Sequence, residues 1–592
     1  MTYDLKIVGG TIFDGGGEAG MLANVAVKDG LIVDIGECPG PARQTIDAAG
    51  QIVTAGFIDI HTHYDGQASW DEELQPSINH GITTAVMGNC GVGFAPVRVG
   101  DHDKLVSLME GVEDIPGTAL HEGLTWDWES FPEYMDALAA MPRTINIAAM
   151  VPHDPLRVYV MGDRAVFSEP ANDSDIAEMR RLTREALLAG AIGFATGRSD
   201  VHRSSEGEWT PGSEATRAEL TGIAEAFDGL DYGVVQAVSD FNLERGEEDF
   251  DDEWSIVADY AKASGRPFSF SLMQRDFAPQ QWLKLIERSE ALKAEGVDIR
   301  MQVAPRGIGV FLGLQCTFHP FVGYPSYQPI AELSLEERVA KFRDPEFKRQ
   351  ILSEKHVPMA GEGSSVPPLV DMLMEFIDMA AGKFFQLGSP PDYEQTPDHS
   401  IGARAKAADI PLMEYLYDTM LERDGQELIY FPIYNYTEKS DENVLSMMEH
   451  PQAIAGLSDG GAHVGTVCDA SNSTYLLTHW TRDRTRGRQI ELGKAVRMLT
   501  GTQADYLGMS DRGYVKVGLK ADLNVINMAT LQAEPPHMVR DLPAGGQRLL
   551  QGATGYTATI VAGEVVMVNG ILTGTRPGQF YRAGGAGHIA AE

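Results

Sequence analysis

The chain has 592 residues, 43% hydrophobic and 22% charged, with a formal net charge of −38 at pH 7. Such a length can bury a large core and suggests two to four domains, while the acidic balance argues against nucleic acid and anionic membrane surfaces as partners. Four cysteines (Cys38, Cys90, Cys316, Cys468) are too few for a disulfide framework and point to a reducing compartment.

The opening "MTYDLKIVGG" carries no leader pattern, and no run of about 18 apolar residues follows. A cytoplasmic protein is expected. Residues 23–36 form two alternating runs around Asp29-Gly30, a hairpin signal. "DGGGEAG" reads as a turn, because no strand-to-helix frame surrounds it. Short apolar strands are then predicted at 52–61, 83–89, 144–151, 191–196, 233–238, 267–273, 298–303 and 453–459, most followed by helical stretches such as 174–190. The acidic run "EEDFDDEW" reads as a solvated helix start, and "LLTHW" around His479 and Trp480 as helix core. Residues 513–528 and 556–574 return to strands and hairpins. Eight strands alternating with helices predict an α/β fold, a (β/α)8 TIM barrel over 55–506. Residues 1–54 and 507–592 would form one small β-sandwich, and about 305–410 an inserted subdomain.

In such a barrel chemistry sits at the C-terminal strand ends. His61 and His63 in "GFIDIHTHYDGQ" stand two apart, so they project to one side of a strand. Cys90 ends the second strand and His153 the third. Thr196 and Arg198, Gln236 and Gln274 end the next three, and the last gives Asp459, with His463 on its loop. Two imidazoles, a thiolate and a carboxylate form a plausible zinc set. Other readings stand beside these. Cys90 could be an inert buried thiol and His153 a turn cap. Arg198 could clamp a substrate or make a structural ion pair. Glu362 or Ser364 in "AGEGSSVPP" could reach the cavity, and the aromatic stretch 311–327 could be a pocket wall or a subdomain core.

Four segments together resemble the amidohydrolase superfamily. "GFIDIHTHYD" is similar to its first-strand signature, "GNCG" to the D-aminoacylase branch, "SDGGAH" to the last-strand aspartate segment and "LTGTQADYLGMSDRGYVKVGLKADLNVI" to the closing signature. The resemblance implies that His61 and His63 hold the α metal. It also implies that Cys90 takes the bridging place filled in many relatives by a carboxylated lysine, and that Asp459 is both ligand and proton shuttle. The expected activity is metal-dependent hydrolysis of an amide or cyclic amide C–N bond in a small molecule, with one Zn2+ per chain. A lactonase or esterase on the same scaffold, or a silent ligand-binding relative, are the alternatives.

The departures from that pattern are specific. Relatives place a histidine at the ends of strands five and six for a second metal, whereas "VVQAVSD" and "FSFSLMQ" contain none. Nor does an arginine follow Asp459 before Arg482. His153, Arg198, Gln236, Gln274 and His463 are the candidate substrate contacts, with a homo-oligomer also compatible with the sequence.

Overall fold

A computed structural model describes residues 2–199, 202–241, 249–360, 366 and 368–588. Its centre is an eight-stranded parallel sheet: Phe57–Asp59, Ile82–Met87, Asn146–Pro152, Gly193–Arg198, Val234–Ser239, Phe268–Ser271, Ile299–Val303 and Ala453–Ala455, in that spatial order. Closure into a barrel comes just beyond the outer strands, where Thr62 and Gly460 form a parallel bridge and His63 N donates to Gly460 O at 2.8 Å. The eight strands are the predicted ones. The fold is therefore the expected (β/α)8 barrel.

Two strand boundaries differ from the sequence reading, for physical reasons. The predicted 52–61 strand breaks at Gly56, where an added Cβ would lie 2.1 Å from Thr83 Oγ1. Before that break Ile52–Ala55 pairs into the sheet of the chain ends; after it Phe57–Asp59 enters the barrel. The last strand is only Ala453–Ala455, because the extended backbone ends beyond it, with Leu457 and Asp459 at φ +59° and +49°.

Both chain ends contribute strands to one nine-stranded sheet, in which Ile52–Ala55 joins the N-terminal Tyr3–Phe13 to the C-terminal Leu523–Ile526. Asp29 and Gly30 both take positive φ, as a tight hairpin turn requires. Inside the barrel Ile58, Ile60, Val86, Ile192, Val234 and Ile454 pack together, and the helix Gly501–Leu507 plugs the lower end with Ala504, Tyr506 and Leu507. Between strands seven and eight lies a separate core around Phe321, Phe342, Tyr417 and Ile429, with a three-stranded antiparallel sheet of Ile308–Leu312, Phe385–Gln386 and Ile429–Tyr434. Phe321, Tyr324 and Tyr327 of the aromatic stretch belong to that core. Among the described residues no helix is long and apolar enough to cross a membrane.

Candidate active site

The first strand ends at Asp59, and the two histidines follow on a bend held from both sides. Asp459 N donates to His61 O, and Ser458 Oγ donates to Asp59. This bend turns both rings towards Cys90. His61 Nε2 stands 3.3 Å from Cys90 Sγ, and His63 Nε2 3.7 Å from it. Asp459 Oδ1 lies 3.4 Å from His61 Nε2 and 3.9 Å from His63 Nε2. One donor atom each of His61, His63 and Cys90 falls within a 4.8 Å circle, and all three residues are buried.

The loop that brings Cys90 here is tightly constrained. Cys90 itself has φ +55°, in the left-handed region that non-glycine residues rarely occupy. A Cβ on Gly197, at the end of strand four, would sit 2.2 Å from Cys90 O, so only glycine lets the loop rest there. Asp459 and His463 also have positive φ, +49° and +46°. Backbone held in such regions clusters at functional sites, where the surroundings over-determine it.

Each histidine has an oxygen behind it, hydrogen-bonded in the case of His61 and merely close in that of His63. His61 Nδ1 is 2.7 Å from Gln302 Oε1, and Gln302 Nε2 in turn donates to Ser269 Oγ at 2.9 Å. Tyr506 of the plug helix donates to the same Ser269 oxygen at 2.7 Å. His63 Nδ1 stands 3.1 Å from Glu113 Oε1, at the C-terminus of the helix His102–Glu113. With Nδ1 bonded to Gln302, His61 turns its Nε2 lone pair to Cys90 and Asp459, and the Nε2 of His63 faces the same two atoms. Burial lowers the pKa of His61 to about 4, with the Gln302 hydrogen bond opposing and His202 reinforcing the shift. His63 is held well below its usual value, again chiefly by burial. Both rings are neutral at physiological pH, as metal ligands must be. Burial first, then Asp459 and Glu113, raise the Cys90 thiol, while burial pushes Asp459 up to about 8. Four acceptors of this kind, crowded and short of positive charge, fit a divalent cation.

The other predicted residues are placed as follows. His463 is 28% exposed and its Nε2 lies 3.9 Å from Glu113 Oε2; its ring faces His202 at 6.3 Å between centroids. Gln236 reaches the cluster from strand five and accepts from Cys90 N at 3.3 Å. His153 is fully buried between Thr196 Oγ1 at 2.9 Å and Glu219 Oε1 at 3.0 Å, and Arg157 also pairs with Glu219. Arg198 holds Glu253 through Nε and Nη2 at 2.7 and 2.8 Å and Ala215 O through Nη1. The acidic run thus has one inward face: Glu253 is buried, while Asp251 and Asp252 are exposed. Gln274 turns from the cluster, donating to Glu438 Oε2 at 2.8 Å. Glu247, Glu248, Glu362 and Ser364 lie outside the described residues.

Sequence reasoning missed Glu113, Gln302 and His202. A carboxylate in the last turn of a helix opposes the helix dipole, and a glutamine inside the apolar strand "IRMQV" needs a buried partner; either could have marked its residue. No comparable signal marks His202. A second buried group, Glu394–Asp441–His479, already contains the Arg484 guanidinium, 3.0 Å from both Glu394 oxygens. Its polar atoms knit the 385–400 segment to the helix Glu442–Met448.

The sequence matches the profile of the amidohydrolase family over residues 44–355 and 407–567. A D-aminoacylase of Alcaligenes xylosoxydans xylosoxydans is 39% identical over 196 residues, which is 33% of this chain and 38% of that protein. The chain therefore spans well under half the length of this relative. Among solved structures, a D-aminoacylase crystal structure superposes with a TM-score of 0.64 at 23% identity, over 98% of this chain and all of that one. The N-acyl-D-glutamate deacylase from Bordetella bronchiseptica, complexed with zinc and a phosphonate inhibitor, gives 0.63 at 22%, with the same coverage. These two likenesses concern the fold.

Proposed function

The chain belongs to the amidohydrolase family, and on that footing we propose that it is a metal-dependent hydrolase cleaving a carbon–nitrogen bond, other than a peptide bond, in a small neutral amide or cyclic amide. The observation that carries the proposal is the convergence of His61 Nε2, His63 Nε2, Cys90 Sγ and Asp459 Oδ1 at the barrel mouth. One Zn2+ per chain is the proposed cofactor, since imidazole and thiolate are its preferred donors. The zinc in the Bordetella bronchiseptica deacylase supports that choice.

A zinc ion held by these residues would acidify its water and polarise the scissile carbonyl. The chain's own groups do the rest. Asp459, whose side chain is 17% exposed while its neighbours are sealed, takes the proton of the attacking water and delivers it to the leaving nitrogen. Burial keeps His61 and His63 neutral, and the hydrogen bond to Gln302 fixes the His61 ring. Gln236 pins the Cys90 backbone, and His463 and His202 stand at the mouth as neutral rings towards the substrate.

Substrate charge follows from the arginines. After strands four, six and seven Arg198 holds Glu253, Arg275 holds Gln281 and Ser239 O, and Arg306 holds Asp469 and Ser471, while Arg203 stacks over Trp209 at 4.2 Å with Nη1 on Gly207 O at 3.4 Å. The deacylase pattern expects an arginine soon after Asp459, and this chain has none before Arg482. Met273, Ala304 and Leu457, which follow strands six, seven and eight, pack as an apolar cluster with Ile308 and Tyr434. A substrate without a free carboxylate suits such surroundings.

The test is a hydrolysis screen of zinc-loaded protein on neutral and cyclic amides beside N-acetyl-D-amino acids and lactones. Neutral amides should be turned over best, and His63→Ala should lose all but a trace of activity. A His63→Ala protein keeping more than about a tenth of the rate would end the metal-dependent reading. Strong preference for the acids would end the neutral-substrate reading, and faster lactone cleavage would favour an esterase.

A further inference from the structure

On strands five and six two buried polar groups, Gln236 in register with Ser269 and Ser271 one layer above it, have hydrogen-bonding capacity that nothing among the described residues uses. Gln236 is 1% exposed, and its Nε2 has no hydrogen-bond partner among the described residues. The orientation of that carboxamide is fixed. Cys90 N is a donor only, so the atom 3.3 Å from it must be Oε1, and the free end carries the two N–H donors. Ser271 is fully buried, and its Oγ also has no partner among the described residues. Successive side chains alternate along a strand, so Ser271 shares the inward face of Ser269, whose hydroxyl binds Gln302 inside the barrel. It stands one layer higher, in register with Gln302, the residue that supports His61.

Buried polar groups in native structures are nearly always satisfied, and a pair left open beside a reactive centre marks the place of an absent partner. Both can donate. A cation is disfavoured where an N–H2 group points, and an oxygen acceptor is favoured. We propose that Gln236 and Ser271 form a subsite for a second, neutral carbonyl oxygen of the substrate, next to the carbonyl that is cleaved. The substrate class is thereby a neutral dicarbonyl: an N-acylated amide bearing another amide, or a cyclic imide. This deepens the amide-hydrolase reading and rests on it.

The probes are N-acetylglycinamide, which carries a second carbonyl, and N-propylacetamide, which does not. Both are titrated into zinc-loaded protein by ligand-observed NMR, which also reports any acetate released. Wild-type protein should prefer the two-carbonyl probe. Ser271→Ala should weaken that probe roughly three- to tenfold, the worth of one hydrogen bond, and leave the other unchanged. Gln236→Glu keeps the acceptor for Cys90 N but removes the donors, and should weaken the same probe at least as much. Because no protein partner is lost, Ser271→Ala should melt, without ligand, at or above the wild-type temperature and keep its zinc. Equal affinity for the two probes in wild-type protein, or an unchanged preference in Ser271→Ala, overturns the subsite. So does a lowered melting temperature in Ser271→Ala, which would mean that the hydroxyl serves the fold. Turnover is a separate readout. A protein that binds the dicarbonyl selectively yet cleaves no amide sinks the hydrolase reading and leaves the subsite standing.

Discussion

Replacing Gln302 by methionine keeps the volume of the side chain but removes the acceptor 2.7 Å from His61 Nδ1. With zinc bound, His61 must offer Nε2 as a lone pair, so its proton sits on Nδ1, buried and facing a thioether. Leaving a buried donor unsatisfied costs about 1–3 kcal/mol, or roughly 5- to 150-fold in an equilibrium constant. Loss of an outer acceptor on a metal-bound histidine typically lowers affinity by about 10- to 100-fold. Without metal the cost is smaller, because the proton can move to Nε2, where Cys90 Sγ and Asp459 Oδ1 lie within 3.4 Å. Gln302→Met is therefore expected to unfold near the wild-type denaturant midpoint in chelator, yet to hold zinc about ten- to a hundredfold more weakly in competition with a chromophoric chelator. A zinc affinity within about threefold of wild type would refute the claim that Gln302 sets the His61 tautomer. An equal loss of metal-free stability would show that the glutamine serves mainly the barrel core.

Two further outcomes can be measured directly. Elemental analysis of protein purified without added metal should give close to one zinc per chain, with occupancy falling sharply in Cys90→Ala; two tightly held equivalents, or full occupancy and rate in Cys90→Ala, would make Cys90 a core residue only. Burial raises the pKa of Glu394, but its bonds to His479 and Arg484 outweigh that and bring it to about 2. A depressed carboxylate stabilises the fold above its unfolded value, near 4.5, and that contribution is lost as pH falls from there towards 2. Glu394→Gln should therefore lower stability at pH 6 and flatten its decline between pH 5 and 3 in urea titrations; parallel curves for the two proteins would refute the assignment.

Barrel strands were legible because their pattern is local. "ITTAVM", "NIAAMVP" and "VVQAVS" are short apolar runs that can only be buried on both faces, and each occurs where it was expected. Strand ends were less legible, since they depend on contacts across the fold. Nothing in "QIVTAGFIDI" says that its first half leaves for another sheet; the reason is the space beside Thr83 that only Gly56 leaves open. Inward-facing charge was least legible. "DDEW" looks solvated throughout, yet Glu253 points inward because Arg198, 55 residues earlier, holds it through Nε and Nη2.

The pair at 61 and 63 shows the same limit at the site. Spacing of two places both rings on one side, which suits a metal ligand pair and equally suits two polar residues closing a strand. What separates the two readings is the nitrogen that each ring presents. An oxygen behind Nδ1 commits that nitrogen to donating and leaves Nε2 to coordinate. For His61 that oxygen comes from Gln302, 241 residues away on strand seven, while His63 has the Glu113 carboxyl 3.1 Å from Nδ1, on a helix between strands two and three, without a hydrogen bond to it. Neither is adjacent to the motif, and a glutamine is not a residue type that a ligand search would select. The histidine motif alone therefore could not reveal the His61 tautomer; the folded barrel fixes it through a contact between distant segments, and Cys90 and Asp459 give both rings a common focus.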